Sequence, residues 1–320
     1  MAFEVAGTNP GMKKVAIGLP VHNGGNFLAA AIDSILAQSC GDFDLVISDN
    51  ASTDDTEEIC RAYARKDSRI QYVRQPSNVG AANNHNLLVR MTDSQYFKWA
   101  AHDDVLAPGF LEACVDVLDH DAGVVLASPA SALIDEAGMP LPYSAERGGM
   151  IDRSGVCWPV LPEKNDGLMA NDPTVRFEAV MLNMVMCVEI FGLMRRSALL
   201  CTSLQGPFGG ADKVVLAEMS LLGHFWLGQE TLFFRRCHAQ QFSAATSGPY
   251  RAKWFSGRRH DSVFIQQIKL LLAYCRAMYT TELTTQQRYD CLHAIVNRAV
   301  SRGHHWRRLI GGLSEIPKGR

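Results

Sequence analysis

Between Val15 and Ser128 the chain exchanges short apolar runs with amphipathic stretches, and this regular exchange limits the available folds more than any other feature. Val15–Val21 reads as a buried strand, and Asn26–Gln38 follows with Phe27, Leu28, Ala31, Ile32, Ile35 and Leu36 at helical spacing. Phe43–Ser48 predicts a second strand ending on Asp49. Ser52 or Thr53 is placed to cap a helix reaching about Lys66, with Asp54, Asp55, Glu57 and Glu58 at its positive end. Ile70–Val73, Tyr96–Ala100 and Val124–Ser128 predict further strands, and Ala81–Met91 and Pro108–Leu118 further helices. Strands joined through helices of this length need right-handed crossovers, hence a mostly parallel sheet covered on both faces. Ligands of such sheets bind beyond the carboxyl ends of the strands. Those ends carry Pro20-Val21-His22-Asn23, Asp49-Asn50, Gln75-Pro76-Ser77-Asn78 and Asp103-Asp104, so one rim collects the chemistry.

Asp103 and Asp104 are the most informative of these. An apolar run, Tyr96 to Ala101, stops on two adjacent carboxylates, and Pro108 then opens a helix. Side by side, the two acids repel unless a cation or a proton relieves them. A hard divalent ion held by one or two carboxylates, with phosphate oxygens at its other positions, does so. The alternative is that Asp104 caps the following helix while Asp103 is solvated.

Composition narrows the class. Apolar residues make up 47% and charged residues 20% of the 320, as in an ordinary globular protein with a sizeable core. A net charge of -2 gives no sign of a nucleic-acid partner. No apolar run approaches the roughly 20 residues that cross a bilayer, and Met1–Lys14 lacks the pattern of a secretory signal. The nine cysteines are scattered, without Cys-x-x-Cys spacing, so neither a zinc site nor a disulfide framework is indicated. A cytoplasmic location is the expectation, at the cytoplasmic face of a membrane if the chain docks there.

From Ile134 to about Asp172 the pattern dissolves into Gly, Pro and polar residues, which predicts a flexible flap. Pro173–Met184 then reads as a helix, Ile190–Met194 as a strand, Asp212–Leu222 as a helix and His224–Phe234 as a strand or hairpin, with a helical tail from Arg258 onward. Three segments follow: 1–133, an α/β half; 134–243, a second half including the 134–172 loop; and 244–320, a helical extension. The cluster Arg251, Lys253, Arg258 and Arg259, beside Trp254 and Phe255, suits either a membrane surface or a solvated turn. Glu189 suits either an acceptor pocket or the surface, and Trp158 either a sugar ring or a hydrophobic anchor.

With these motifs in order from Lys14 to Ser243, the chain resembles glycosyltransferase family 2, nucleotide-sugar enzymes of GT-A fold: a Rossmann-like, mostly parallel α/β sheet flanked by helices. Val15–Asn23 resembles the family's first strand and its Pro-x-x-Asn turn, which implies nucleotide contacts at Pro20, Val21, His22 and Asn23. Asp49-Asn50-Ala51-Ser52-Thr53-Asp54-Asp55-Thr56 is similar to the Asp-x-x-Ser-x-Asp-x-Thr run, which implies that Asp49 accepts a hydrogen bond from a pyrimidine. Asn78-Val79-Gly80 with Asn84-His85-Asn86 resembles the segment flanking the nucleotide, implying roles for Asn78, Gly80 and Asn84. Asp103 falls on the last aspartate of the metal signature, whose first aspartate is Ala101 here. The resemblance thus implies Mn²⁺ or Mg²⁺ held by Asp103, Asp104 and His238, and a diphosphate contacted by Arg236 and His238 in the segment that runs on to Gln241 and Ser243. Asp212, at the start of a helix, stands where the family places its catalytic base; a plain helix cap is the alternative.

The activity implied is inverting transfer of a sugar from a UDP- or dTDP-sugar to a hydroxyl of a glycan or glycolipid. Two rivals remain. A sugar nucleotidyltransferase shares the acidic site, but His22-Asn23-Gly24-Gly25 lacks the basic phosphate loop it needs. A catalytically inactive sugar-nucleotide-binding protein fits Ala101.

Overall fold

The computed structural model describes residues 13–152, 155–159, 167–184, 186–238 and 263–301. The expected alternation is present: β1 (Val15–Val21), α1 (Gly25–Leu36), β2 (Phe43–Asp49), α2 (Thr56–Lys66), β3 (Ile70–Arg74), α3 (Ala81–Met91), β4 (Tyr96–Trp99), β5 (Val105–Leu106), α4 (Phe110–His120) and β6 (Val124–Ile134). β1, β2, β3 and β4 are parallel, with β1 central between β2 and β4. Every position of β1 but Pro20 is buried, because helices cover both sheet faces.

The second half extends the same sheet with mixed directions. β10 (Leu193–Arg195) runs antiparallel between β4 and β6, and β11 (His224–Arg236) pairs parallel with β6 and antiparallel with β5. The eight strands are ordered β3-β2-β1-β4-β10-β6-β11-β5. One core lies under α1, α2 and α4 and includes Ile17, Leu19, Leu28, Ile47 and Phe110. The other lies on the opposite face and includes Phe97, Trp99, Phe177, Val215 and Phe225. It packs against α5 (Pro173–Glu178), α7 (Ala211–Leu222), α8 (Val263–Thr280) and α9 (Thr285–Ser301), while the short α6 (Arg196–Leu200) follows β10.

Five expectations change. The strand expected to stop at Ser128 continues through Pro129 to Ile134, and its pairing with β11 shifts register along the way, where a proline is tolerated. The helix expected over Pro173–Met184 is α-helical only to Glu178 and closes as a π-helical turn, Ala179–Asn183. Ile190 lies in a 3₁₀ turn, Val188–Phe191, and the strand begins at Leu193. Within the expected flap 134–172, β7 (Tyr143–Ser144), β8 (Gly149–Ile151) and β9 (Cys157–Pro159) form a small antiparallel sheet. Trp158 donates there to Asp152 at 2.9 Å. Ser52 and Thr53 do not cap α2: Asp55 holds the N-cap position, and Asp54 accepts from the Thr56 N–H and hydroxyl. Gln241, Ser243 and the cluster at 251–259 lie outside the described residues.

Candidate active site

The polar tips of β1 to β4 meet at one rim, and most of their side chains bond to one another. Asp49 is fully buried; its Oδ1 accepts from the Ser52 N–H at 2.8 Å, and its Oδ2 accepts from Tyr72 Oη and from Arg74 Nη1, each at 2.8 Å. Arg74 also donates to the Ser52 carbonyl and pairs with Glu57 at 2.9 Å. The carboxylate expected to face a pyrimidine is thus already a three-bond acceptor, with little capacity left. Asn84 is likewise committed: its amide donates to the Ser48 carbonyl and its oxygen accepts from the Ser48 hydroxyl. Asn78 accepts from Asn50 and from the Gly80 N–H, and Gly80 sits at φ 85°, ψ 153°, a backbone region open to glycine.

The turn after β1 is held in the same way. Asn23 donates its N–H to Ser52 Oγ and accepts the Thr53 N–H on its side chain, and the Gly24 and Gly25 N–H groups go to Thr56 and Asp54. Pro20 and Val21 are the last residues of β1, while His22 and Asn23 stand exposed beyond it. His102 packs against Gly24 so closely that a Cβ there would lie 2.6 Å from its ring. The turn after β1 and the acidic loop after β4 therefore form one wall.

The acidic loop splits in function. Oδ2 of Asp103 accepts from Nε2 of His238 at 3.0 Å, and the His238 ring packs on Phe27 at 4.7 Å. Burial pushes the Asp103 carboxyl up, but the His238 bond and the charges of His102 and His238 outweigh it and hold it below the usual carboxylate value. Nδ1 of His238 is buried without a hydrogen-bond partner among the described residues. Asp104 turns the other way. Its Oδ1 accepts the Arg236 N–H at 2.9 Å, and it lines a small cavity with Lys98, Ala101 and Phe233. Burial, then the adjacent Asp103 charge, push it up to about 7. The expected three-ligand set is corrected accordingly: Asp104 faces the interior, and among the described residues no group of three acidic, histidine or cysteine side chains is disposed around a metal. What remains, one carboxylate facing one imidazole with an unpartnered nitrogen, fits a hard divalent ion that brings phosphate oxygens with it.

Arg236 also departs from expectation. It donates through Nε to the Asp103 carbonyl and through Nη1 to the carbonyls of Asp135 and Glu136, each at 2.9 Å, and its guanidinium lies 4.9 Å from the Phe27 ring centre. These groups clamp two loops rather than reach the rim.

The 3₁₀ turn before β10 comes to the same end of the sheet. In the antiparallel register Met194 faces Phe97, so the turn returns to the carboxyl end of β4. There the Lys98 ammonium donates to the Phe191 carbonyl, and Glu189 is buried rather than at the surface. Behind it, Asp212 opens α7, accepting the Lys213 N–H at 2.8 Å. Burial pushes its carboxyl above the ordinary value, overcoming that bond and the Lys213 and Arg298 charges. The thiol of Cys187 is raised by burial first and then by the Asp212 charge, and α7 packs against the turn. Asn86 bonds both backbone groups of Gln205, tying α3 to the segment before α7. Tyr72, Arg74, Phe27, His102 and Lys98 were not foreseen. For Arg74 the signal existed in principle, since the parallel register sets it opposite Asp49.

A mixed sheet with these polar tips and helices on both faces is the GT-A architecture. The model of the family described as Glycosyl transferase family 2 matches residues 16–200, and the chain belongs to that family. It is similar to an uncharacterized glycosyltransferase of Rickettsia felis, 33% identical over 132 residues, covering 40% of this chain and 21% of that protein. Glycosyltransferase GlyG of Streptococcus pneumoniae is 27% identical over 113 residues, covering 35% of this chain and 38% of GlyG. The matches thus span well under half the length of these relatives. Among solved structures, Staphylococcus aureus TarS 1–349 in complex with UDP-GlcNAc superposes with a TM-score of 0.62 at 12% identity, covering 90% of this chain and 73% of TarS 1–349. The mannosyltransferase PcManGT of Pyrobaculum calidifontis, in complex with GDP-Man and Mn²⁺, gives 0.51 at 13% identity, covering 96% and 81%. Among the described residues no helix is long and apolar enough to cross a membrane.

Proposed function

We propose that this chain is an inverting glycosyltransferase that moves a sugar from a UDP- or dTDP-sugar to a hydroxyl of a glycan or glycolipid. The observation that carries the reading is that the turn before β10 returns to the carboxyl end of β4 and packs against α7. Asp103, bonded to His238, follows β4, and Asp212, a buried carboxyl of raised proton affinity, opens α7. The UDP-GlcNAc held by TarS supports the choice of a uridine donor, and the Mn²⁺ in PcManGT supports a metal-assisted step.

In the reaction, the acceptor oxygen forms a bond to the anomeric carbon as the bond from that carbon to the diphosphate oxygen breaks. The acceptor proton passes to the Asp212 carboxylate acting as general base. The nucleoside diphosphate departs from the opposite face with both bonding electrons. Asp103 and His238 would hold a divalent ion, which when bound would neutralise the charge that builds on this leaving group. Asp49, Asn78, Gly80 and Asn84 act by fixing the rim. The exposed His22–Asn23 turn is the part of the first strand tip left to meet the nucleotide.

The test is incubation of the protein with UDP- and dTDP-sugars, Mn²⁺ and a panel of hydroxyl acceptors, with product configuration read by NMR. Transfer with inversion supports the reading, and retention of the anomeric configuration overturns it. Ala101, which removes the first carboxylate of the metal signature, favours a second reading as a sugar-nucleotide-binding protein. Tight nucleotide binding without transfer to any acceptor selects it.

A further inference from the structure

We propose that the outer face of the α8–α9 hairpin is a docking surface for an anionic lipid bilayer. The inner face of the hairpin is accounted for. Tyr274, Ala277 and Met278 of α8, and Cys291, Ala294 and Ile295 of α9, are buried in the core shared with α5 and α7. At 3.6 residues per turn, Ile265, Ile268, Leu272 and Tyr279 fall on the opposite side of α8. Tyr289, Leu292 and Val296 fall on the opposite side of α9. These residues are open to solvent: Leu272 is 63%, Tyr279 71% and Tyr289 65% exposed. The Arg288 guanidinium lies 5.8 Å from the Tyr279 ring centre and joins the two stripes. Single exposed apolar residues mean little, but a continuous apolar face marks an interaction site.

Charge selects the partner. α8 carries Lys269 and Arg276 and no acidic residue, and α9 carries Arg288 and Asp290, with Glu282 between the helices; Arg298 turns inward to the Met181 carbonyl. Beyond Ser301 the sequence continues with Arg302, Trp306, Arg307 and Arg308 before its first acid, Glu315. An apolar stripe bearing aromatic residues and cationic flanks is the composition of helices that lie in a membrane interface, and anionic headgroups attract the cations. A second copy is disfavoured, because a two-fold contact sets the same cationic patch against itself.

The inner side of the hairpin borders α7. Leu270 of α8 packs over Gly210, two residues before Asp212, at 3.6 Å from where a Cβ would stand. Arg298 of α9 donates to the Met181 carbonyl at 2.5 Å. Docking through the outer face would hold the start of α7, with Asp212, one helix layer from the bilayer, where a glycolipid acceptor would be found. That last link rests on the proposed function; the docking itself does not.

The test is co-sedimentation of the full-length protein, without donor or acceptor, with phosphatidylcholine vesicles and with vesicles containing roughly one-third phosphatidylglycerol. The expected result is binding to the anionic vesicles alone, weakened by added salt. Ile268→Glu/Leu272→Glu and, separately, Leu292→Glu/Val296→Glu should each lower partitioning by about tenfold or more. Their thermal melting and nucleotide binding should be unchanged. Equal partitioning of the variants and the parent, or no binding to anionic vesicles, overturns the proposal. So does a parent dimer in sedimentation equilibrium that either variant dissociates, which assigns the face to a second copy. A failed transferase assay leaves the vesicle result standing, so the two readings fail separately.

Discussion

The backbone N–H of Arg236 donates to Oδ1 of Asp104 at 2.9 Å, and through this bond the end of β11 fixes the acidic loop that follows β4. The Arg236 side chain adds bonds to the carbonyls of Asp103, Asp135 and Glu136. Asp103 is therefore positioned from a strand more than a hundred residues away in sequence.

Arg236→Lys should damage both stability and donor binding. An ammonium has no planar fork and cannot serve the three carbonyls at once. We expect a loss of about 2 kcal/mol, read as a lower urea midpoint at unchanged slope. Nucleotide affinity should fall with it. Unchanged affinity in the lysine variant would show that the loop holds its shape without the clamp.

Asp49→Asn should be destabilising whether or not a nucleotide is present. The substitution leaves Arg74 and Tyr72 facing a neutral amide inside a buried network. Asp49 is buried but Arg74 is one-third exposed, so the loss should be smaller than for a fully buried pair. Urea denaturation of the free protein is the measurement, and a loss seen only as weaker nucleotide binding would restore a direct ligand role for Asp49.

The metal reading separates Asp103 from its neighbour. Mn²⁺ should tighten nucleotide binding in the parent, and Asp103→Asn should remove that gain, by about tenfold or more. Asp104→Asn should keep it. Calorimetric titration of UDP with and without Mn²⁺ decides the point, and equal losses in both variants would return Asp104 to the ligand set.

Asp212→Asn should lower the transfer rate by about a hundredfold or more while leaving donor binding intact. The active form of the base is the carboxylate, so in the parent the rate should rise with pH through a value above the ordinary 3.8. Stability runs the other way. A carboxyl whose folded pKa exceeds its unfolded value stabilises the fold fully below 3.8, and that contribution is lost as pH rises through the folded value. A pH–rate profile lacking this acidic limb would exclude Asp212 as the base.

The parallel half of the sheet was readable in sequence because each of its strands is a whole apolar run bounded by a polar tip. β10 was readable only in part: Ile190–Met194 overlaps its first two residues, but three residues, Leu193 to Arg195, carry too few positions to fix the bounds. Pro129 hid the extension of β6, which the pairing with β11 restores. The rim motifs were legible as residues, but not as partners. Nothing local in the sequence says that Arg74 faces Asp49, or that the carbonyls of Asp135 and Glu136 draw the Arg236 guanidinium inward. The direction of Asp104 was equally hidden, because it depends on Lys98 and Phe233 closing a cavity beneath it.

Gly24 is the gauge of this assembly. A methyl group there would lie 2.6 Å from the His102 ring and 2.6 Å from Val21. Any heavier residue at position 24 would lever His102 outward and carry the adjacent Asp103 with it. A change of donor preference in this protein must therefore be sought at other positions, with residue 24 kept as hydrogen.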